Sequence, residues 1–499
     1  MASRSLFVAG LVPLILAILY IQLDSLLTVL DDALHAIRTS SQDMLSLAPV
    51  TSRPQIIMAA TSAFSHMEKI TTITQGLVTL GYPVTFIAGP EFKDDVESIG
   101  ATYVPIEGQG IGLLPEEDLA TFIRLQGNEM EVFAYKKIFI ERMPAQYRTL
   151  QRVLKRLKEE HGEKEKLVTV FDCTFLGLSP VMLGAPGLRP DASISIGLAP
   201  YPAASNDTFP FRTGIVPDTS SESHKIHFEA QQAQYRDDPI DAPVNSALKT
   251  ILKDMNVSRG TPGFYQMLVD ESDVYLQYGV PSFEYKRGDW RPNLYFLGAP
   301  ISVGMTERKL PEWWDDVLEA RAAGKKIVAV SSSSVVYDIN ALVKPALDAF
   351  GKREDMLVIA TLVTSEVDTL NAEIPENARV AKFIPLDLAL PYVDVLVTNG
   401  GYGTVQQSLR AGVPMIISGV GQDKLHTGVL VNYTGFGIYH AVHQVTPEFL
   451  TRAFDEIVKN ATYSKRLRDV KKEYEKYNSV QVVNEMIQKA VRGELKLHQ

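Results

Sequence analysis

The chain has 499 residues, of which 45% are hydrophobic and 22% charged, a composition typical of soluble α/β proteins and long enough for two or more domains. Its 49 basic and 59 acidic residues give a formal net charge of −10, and no basic run occurs, which argues against nucleic acid as a partner. Because Cys173 is the single cysteine, no internal disulfide can form.

The amino terminus carries an uncharged apolar stretch over residues 6–23, about the minimum length that spans a bilayer core. Arg4 precedes it, acidic residues follow it, and no small-residue cleavage site closes it. These features predict a single-pass signal anchor and a polar stalk over residues 1–50. They favour an endomembrane location and leave the side of the membrane open.

From Gln55 onward, apolar runs alternate with helix-period segments. Residues 56–60 are an apolar run, apolar side chains from Met67 to Leu80 recur at helical spacing, and residues 84–87 form the next run. This order predicts parallel strands joined by a helix. Further strands are predicted at residues 167–171, 193–198, 274–277 and 294–297.

Two long segments separate these strands. Residues 107–165 are polar and predicted to be helical. Residues 201–222 are rich in proline, serine and small residues and predict a long loop, which at this length is either functional or disordered. Within that loop, Phe209 and Phe211 are candidates to line an apolar pocket.

A shift in composition between Gly298 and Pro311 predicts a domain boundary, with one βα domain over residues 51–300 and a second over residues 301–499. Helices are predicted to close the chain after Pro447. Strands of the second domain are predicted at residues 327–330, 357–361, 380–383, 395–397 and 415–418.

A glycine-rich turn, Asn399-Gly400-Gly401-Tyr402-Gly403-Thr404, connects the strand at 395–397 to a helix-period segment. The first N–H groups of a helix lack intrahelical partners, and together with the helix dipole they form a site for phosphate. A dinucleotide fingerprint fits this turn poorly, because Gln406 occupies its third glycine position and no acidic ribose ligand follows.

The segment 398–424 resembles the donor-binding signature of the UDP-glycosyltransferases, glycosyltransferase family 1. That signature is His-Gly-Gly-x-Gly-Thr, an acidic residue one turn later, Gly-Val-Pro, and then Asp-Gln. Asn399, Gln407 and Lys424 depart from it, in place of the histidine, the acid and the glutamine. Ser65-His66 and residues 81–86 likewise resemble the opening of that family, with Lys69 in place of a proline.

The resemblance implies a GT-B fold, in which two Rossmann-like α/β domains face each other across a cleft. It places a UDP-sugar on the carboxy-terminal domain and an acceptor on the amino-terminal one. The donor-binding residues implied are Asn399, Gly401, Tyr402, Gly403 and Thr404 for the diphosphate, Gln407 for the ribose, Asp423 and Lys424 for the sugar, and Phe383 for uracil. Ser332 or Ser333 is implied to contact either phosphate or the acceptor cleft.

Several of these assignments stay open. The Asn399 amide still donates a hydrogen bond but cannot become cationic. Lys424 either suits a uronic acid donor or pairs with Asp423. Phe383 equally fits a core strand that ends at a proline turn.

His66 and Asp172 are the candidate catalytic residues. His66 follows the first strand, and imidazole titrates near neutral pH, as a general base should. Asp172 follows the strand at 167–171, and the resemblance pairs it with the histidine; alternatively it caps the next helix. The chain has no Asp-x-Asp or His-Glu-x-x-His pattern, so we expect no metal and no cofactor besides the UDP-sugar co-substrate.

The leading hypothesis is an inverting, metal-independent transfer of a hexose from a UDP-sugar to a hydroxyl of a small lipophilic acceptor. A second is a membrane-tethered, catalytically weak UDP-sugar-binding subunit or scaffold, because three donor positions depart from the usual residues. A third, a Rossmann oxidoreductase, is disfavoured by the incomplete glycine fingerprint.

Overall fold

The computed structural model describes residues 53–301, 309–332, 339–363 and 365–497. The predicted anchor and stalk and the candidate Ser333 lie outside the described residues, so they stay predictions. Within the described ranges, no helix is both long and apolar enough to cross a membrane.

The first sheet has seven parallel strands in the order β3-β2-β1-β4-β5-β6-β7. The central strand β1 is fully buried over four of its five residues, because helices cover both faces of the sheet. The strands are β1 (Gln55–Ala59), β2 (Val84–Ala88), β3 (Thr102–Pro105), β4 (Leu167–Asp172), β5 (Ala192–Gly197), β6 (Val274–Gln277) and β7 (Leu294–Phe296).

Helices connect these strands, as parallel pairing requires. The predicted helical region 107–165 is divided into separate helices, with a π-helical turn at Tyr135–Ile140 before the last. The α-helices of this half are α1 (Phe64–Thr79), α2 (Lys93–Ser98), α3 (Glu116–Phe122), α4 (Gly127–Ala134), α5 (Met143–His161), α6 (Ser179–Met182), α7 (Ser223–Asp237), α8 (Asp241–Asp254) and α9 (Phe264–Asp270).

The second sheet has six parallel strands in the order β10-β9-β8-β11-β12-β13. Its strands are β8 (Lys326–Ser331), β9 (Met356–Thr361), β10 (Ala378–Ala381), β11 (Val395–Thr398), β12 (Met415–Ser418) and β13 (Gly437–His440). Its helices are α10 (Trp314–Ala322), α11 (Val343–Phe350), α12 (Leu386–Ala389), α13 (Tyr402–Ala411), α14 (Lys424–Thr434), α15 (Pro447–Lys459), α16 (Ala461–Tyr474) and α17 (Ser479–Val491).

The two parallel sheets confirm the predicted fold class of tandem Rossmann-like α/β units. The carboxy-terminal helix α17 returns to the first half of the chain. Tyr82 Oη donates to Asn484 Oδ1 at 2.7 Å, and Ser479 Oγ donates to the carbonyl of Leu297 at 2.7 Å. A Cβ on Gly76 would lie 2.4 Å from a Val480 methyl, so α1 and α17 pack at close range.

Tyr402 forms a second connection between the two halves. Its hydroxyl donates to the carbonyl of Tyr278 at 2.6 Å and accepts from Gln277 Nε2 at 3.0 Å, and its ring stacks on Phe283. The side chain is 3% exposed, so these hydrogen bonds are shielded from water. The start of α13 is therefore fixed to the end of β6.

We expect Tyr402→Phe to lower the melting temperature of the protein. The substitution leaves buried polar groups of Gln277 and Tyr278 short of a partner, at a cost of about 1–3 kcal/mol. Tyr235→Phe is the control, because that side chain is half exposed. Equal melting temperatures for the two variants would contradict the role of the Tyr402 hydroxyl.

Candidate active site

One cavity of about 710 Å³ lies between the carboxyl ends of strands from both sheets. Loops that follow β1, β4 and β5 line it from one side, and loops that follow β8, β9, β11 and β12 from the other. Open parallel sheets bind ligands at this edge. The cavity therefore brings together residues that are more than 300 positions apart in the chain.

His66 and Asp172 form a pair on the amino-terminal side. His66 Nδ1 lies 2.8 Å from Asp172 Oδ2, and His66 lines the cavity from the first turn of α1. The His66 side chain is 23% exposed, whereas that of Asp172 is fully buried. The carboxylate thus holds Nδ1, and the other ring nitrogen, Nε2, remains for a reaction in the cavity.

Asp172 is the last residue of β4, and its carboxylate has further donors. The backbone N–H of Thr61 donates to it at 3.2 Å, the N–H of Thr174 at 3.0 Å and the Thr174 hydroxyl at 2.7 Å. Asp172 does not cap the next helix, because the N-cap of α6 is Leu178 and the short helical turn before it begins after Phe175. Its carboxylate instead orders the turn after β4 and contacts the histidine.

The pair shifts the pKa of both members. Burial alone would lower the pKa of His66, but the charge of Asp172 and its hydrogen bond outweigh burial and raise that pKa above 6.5. Burial alone would raise the pKa of Asp172, but His66 and the Thr174 donors lower it below 3.8. The aspartate is therefore ionised at neutral pH, and the imidazole is a stronger base than usual.

On the opposite side, the glycine-rich turn leads into α13. Gly400 has a φ of 87°, a conformation that favours glycine, and the helix begins at Tyr402. Gly401, Tyr402, Gly403, Thr404 and Gln407 line the cavity, so the free N–H groups of the first helical turn lie at its wall.

Asn399 is not among the cavity-lining residues. Its backbone carbonyl would lie 2.3 Å from a Cβ on Gly419, so the turn packs tightly against the loop after β12. Asn399 Oδ1 is buried and has no hydrogen-bond partner among the described residues. The side chain of Gln406 is buried in the core, where its Oε1 accepts a hydrogen bond from the Tyr474 hydroxyl. Its neighbour Gln407 lines the cavity, whereas Gln406 does not.

Asp423 and Lys424 line the cavity at the start of α14. Lys424 Nζ donates to Gln422 Oε1 at 2.5 Å, and Lys424 is 7% exposed. Burial raises the pKa of Asp423 above 3.8 and lowers that of Lys424 below 10.5. A buried lysine and a half-buried aspartate, side by side at the cavity wall, are suited to a polyhydroxylated ligand.

Phe383 and Ser332 also line the cavity. Ser332 Oγ donates to the carbonyl of Leu362 at 3.1 Å, which commits its hydrogen to the protein and leaves its oxygen as an acceptor. The N–H of Ile384 donates to Thr361 Oγ1 at 3.1 Å, and this bond holds the Phe383 segment against the end of β9.

The amino-terminal end of the cavity is apolar and aromatic. Phe211 lines it, whereas Phe209 packs on His227 with ring centroids 4.7 Å apart. The surrounding wall is formed by Leu114, Phe122, Met130, Phe139, Phe264 and Leu268. A lipophilic ligand of moderate size would lose its contact with water here.

The loop before α7 has no regular structure, as predicted, but it is anchored. Arg287 donates from its guanidinium to the carbonyls of Ala203 at 3.1 Å and Ala204 at 2.9 Å. A Cβ on Gly214 would lie 2.6 Å from Leu425, so the loop also reaches α14 on the opposite side of the cavity. Because the loop is held in place on both sides of the cavity, these contacts favour a functional loop over a disordered one.

Three further residues at the cavity were not predicted. Lys69 is 4% exposed and pairs with Glu68 at 2.5 Å. Glu68 also lines the cavity, and its side chain is 15% exposed. The Tyr278 hydroxyl is buried and has no hydrogen-bond partner among the described residues. Lys69 stands three residues after His66, and this spacing places both residues on one face of the helix. The spacing could therefore have indicated that Lys69 also lines the cavity.

No cluster of three or more histidine, cysteine, aspartate or glutamate side chains that could hold a metal ion occurs in the described part of the chain. The polar groups that line the cavity are hydroxyls, amides, charged side chains and the backbone at the start of α13. Such a set can hold an anion through hydrogen bonds and the dipole of α13.

Comparisons with known proteins agree with this geometry. Residues 345–489 match the model of the erythromycin biosynthesis protein CIII-like C-terminal domain. The chain is 37% identical to UDP-glucosyltransferase avaP of Aspergillus versicolor, over 86% of the chain and 96% of that protein. It is 31% identical to UDP-glycosyltransferase 2 of Phaeomoniella chlamydospora, over 88% and 96%.

Among solved structures, the chain resembles the glycotransferase of kitacinnamycin with a TM-score of 0.61. The two share 18% sequence identity, and the match covers 88% of the chain and 98% of that structure. At this level of identity the likeness concerns the fold, which is the GT-B arrangement of two parallel-sheet, Rossmann-like units.

Proposed function

The chain belongs to the UDP-glycosyltransferase family of sugar-transferring enzymes, and we propose that it transfers a hexose, with inversion and without a metal ion, to a hydroxyl of a small lipophilic acceptor. The observation that carries the proposal is the single cavity in which the His66–Asp172 pair lies opposite the N–H groups at the start of α13.

His66 is the proposed general base. As the acceptor oxygen attacks C1 of the sugar, its proton moves to His66 Nε2 and the bond between C1 and the diphosphate oxygen breaks. Asp172 keeps the ring oriented and stabilises the imidazolium that forms. A single attack from the face opposite the leaving group inverts the configuration at C1.

The proposed site for the departing diphosphate is the first turn of α13. The N–H groups of Gly403 and Thr404 and the positive end of the helix dipole would stabilise the charge that develops there. These donors take the place of a metal ion at the diphosphate, which supports the proposal that the reaction needs no metal. We therefore expect the activity to persist in excess EDTA. Loss of activity in EDTA, with recovery on adding Mg²⁺, would contradict it.

For the substrates, we propose UDP-glucose and an acceptor with an apolar ring system. The names of two relatives indicate a UDP-glucose or UDP-glycosyl donor. The aromatic wall around Phe211 supports a lipophilic acceptor. Asp423 and Lys424 are the proposed contacts to the sugar hydroxyls.

The test is to incubate the purified protein with UDP-glucose and a panel of phenols and sterols, and to measure released UDP and the mass of the product. We expect a product that carries one added hexose in the β configuration, from the α-linked donor. Release of no UDP above blank with any donor would contradict the proposal, and an α-linked product would contradict inversion alone.

The pH dependence of kcat/KM provides a separate prediction. His66 must be neutral to accept a proton, so the rate should fall as the pH drops below its pKa. Because the charge of Asp172 and its hydrogen bond together outweigh burial and raise that pKa, the acid-side midpoint should lie above 6.5. In Asp172→Asn the midpoint of the residual rate should move to lower pH. A rate that is independent of pH between about 5 and 8 would contradict the role of His66.

The alternative, a catalytically weak binding subunit or scaffold, is not favoured, because relatives that match over most of the chain are sugar-transferring enzymes. The endomembrane anchor at residues 6–23 remains a proposal from the sequence. Retention of the full-length protein in a carbonate-washed membrane pellet, and its loss when residues 1–50 are deleted, would support that proposal.

A further inference from the structure

A buried cation from the amino-terminal half faces the glycine-rich turn of the other half. Lys69 lies on α1, and its Cε is 3.6 Å from the position that a Cβ on Gly403 would occupy. Gly403 belongs to the first turn of α13, where N–H groups have no intrahelical acceptor. The lysine side chain therefore ends beside the positive end of that helix.

This arrangement concentrates positive charge and hydrogen-bond donors at one place. Burial alone would lower the pKa of Lys69, but the surrounding acidic groups, Glu68 foremost, together outweigh burial and raise that pKa above 10.5, so the ammonium is charged. The positive end of α13 and an ammonium repel each other. An anion bound between them would remove that repulsion.

Tyr278 supplies an independent observation. Its side chain is 1% exposed, it lines the same cavity, and its hydroxyl has no hydrogen-bond partner among the described residues. The carbonyl of Tyr278 accepts the Tyr402 hydroxyl at 2.6 Å, so this residue lies against the start of α13. A ligand group that reaches this part of the cavity wall would complete the hydrogen bonding of the hydroxyl.

The turn itself provides no cation. Asn399 is neutral and does not line the cavity, and the lysines that line its described wall are Lys69 and Lys424. Lys424 donates to Gln422, and the nearby charges of Asp423 and Glu131 act on it. Lys69, by contrast, is adjacent to Gly403, where a diphosphate oxygen would accept from the free N–H groups.

We propose that Lys69, with the Tyr278 hydroxyl, binds the diphosphate of the UDP-sugar from the amino-terminal side of the cleft, so that the donor is held by both halves of the protein. This rests on the proposed function of the same site. An ammonium carries three N–H donors, so Lys69 can serve Glu68 and a phosphate oxygen together. Lys69 would also stabilise UDP as it leaves.

The consequence is that the nucleotide diphosphate contacts the helix that carries the general base. Lys69 follows His66 by three residues on α1, and its charge acts on the imidazole. A bound diphosphate would therefore fix the position of α1 relative to the turn at Gly403. Donor binding would order the base as well as the leaving group.

The experiment compares UDP affinity in Glu68→Gln and in Glu68→Gln/Lys69→Met, by isothermal titration calorimetry. Removing both members of the buried pair removes one positive and one negative charge together, so the double variant is expected to fold; the melting temperature without ligand checks this. We expect Glu68→Gln to bind UDP at least as tightly as the unchanged protein. The double variant should bind about 10- to 100-fold more weakly, because a charge-assisted hydrogen bond is lost.

Two results would overturn the proposal. One is equal UDP affinity in Glu68→Gln and the double variant. The other is weaker binding in Glu68→Gln itself by the same factor, which would mean that the ion pair only shapes the cleft. Failure of the proposed function would look different from failure of the proposal about Lys69. In that case the unchanged protein itself would neither bind UDP nor release it from UDP-glucose.

Discussion

His66→Ala is expected to lower kcat/KM by about 10²- to 10⁴-fold while UDP affinity stays within a few-fold of that of the unchanged protein. The substitution removes the group that accepts the acceptor's proton, but it leaves the first turn of α13 intact. Initial rates of UDP release with the best acceptor, and titration with UDP, provide the two measurements.

The matched control is His224→Ala. His224 is 74% exposed, pairs with Asp207 at 2.9 Å and does not line the cavity. Its removal should leave the rate unchanged. Equal rates for His66→Ala and the unchanged protein would remove His66 from the chemistry, and an equal loss in both variants would point to a general effect of losing a histidine.

Gly403→Asp is expected to weaken UDP binding by about 100-fold or more. The new carboxylate would compete for the N–H groups at the start of α13 and would lie near Lys69. Two unit charges about 5 Å apart repel by roughly 3 kcal/mol in a protein cleft, which corresponds to about a 100-fold loss of affinity. Calorimetric titration with UDP measures this loss directly.

Gly403→Ala separates charge from size at the same position. A Cβ there would meet Lys69 Cε at 3.6 Å, an ordinary van der Waals distance. The alanine variant should therefore bind UDP nearly as well as the unchanged protein. If the alanine variant loses as much affinity as the aspartate variant, the effect is steric and says nothing about an anion at the turn.

The sequence predicted the central strands of both sheets because most residues of those strands are apolar and buried. Strands β6 and β12 were predicted with the bounds that the structure has. Strands β3 and β13 were missed. Each is a four-residue strand at the edge of its sheet, with a single strand neighbour and mostly exposed or half-exposed side chains. Such strands lack the apolar run that signals a buried position.

The contact between His66 and Asp172 was predictable for a related reason. His66 and Asp172 follow β1 and β4, which are neighbours in the sheet, so both side chains come to the same carboxyl edge. Lys69 was noted in the sequence only as a replacement for a proline. Its position beside Gly403 could not be predicted, because the two residues are over 300 positions apart in the chain. The position of Asn399 away from the cavity wall likewise depends on packing against Gly419.

A crystal structure with UDP bound would test most directly the claim that the base and the diphosphate-binding turn share one cleft. We predict that the β-phosphate accepts hydrogen bonds from the N–H groups of Gly403 and Thr404, with His66 Nε2 facing the open space beside it. A diphosphate bound elsewhere, or a His66 ring turned away from it and shut off from the acceptor end of the cavity, would contradict the account.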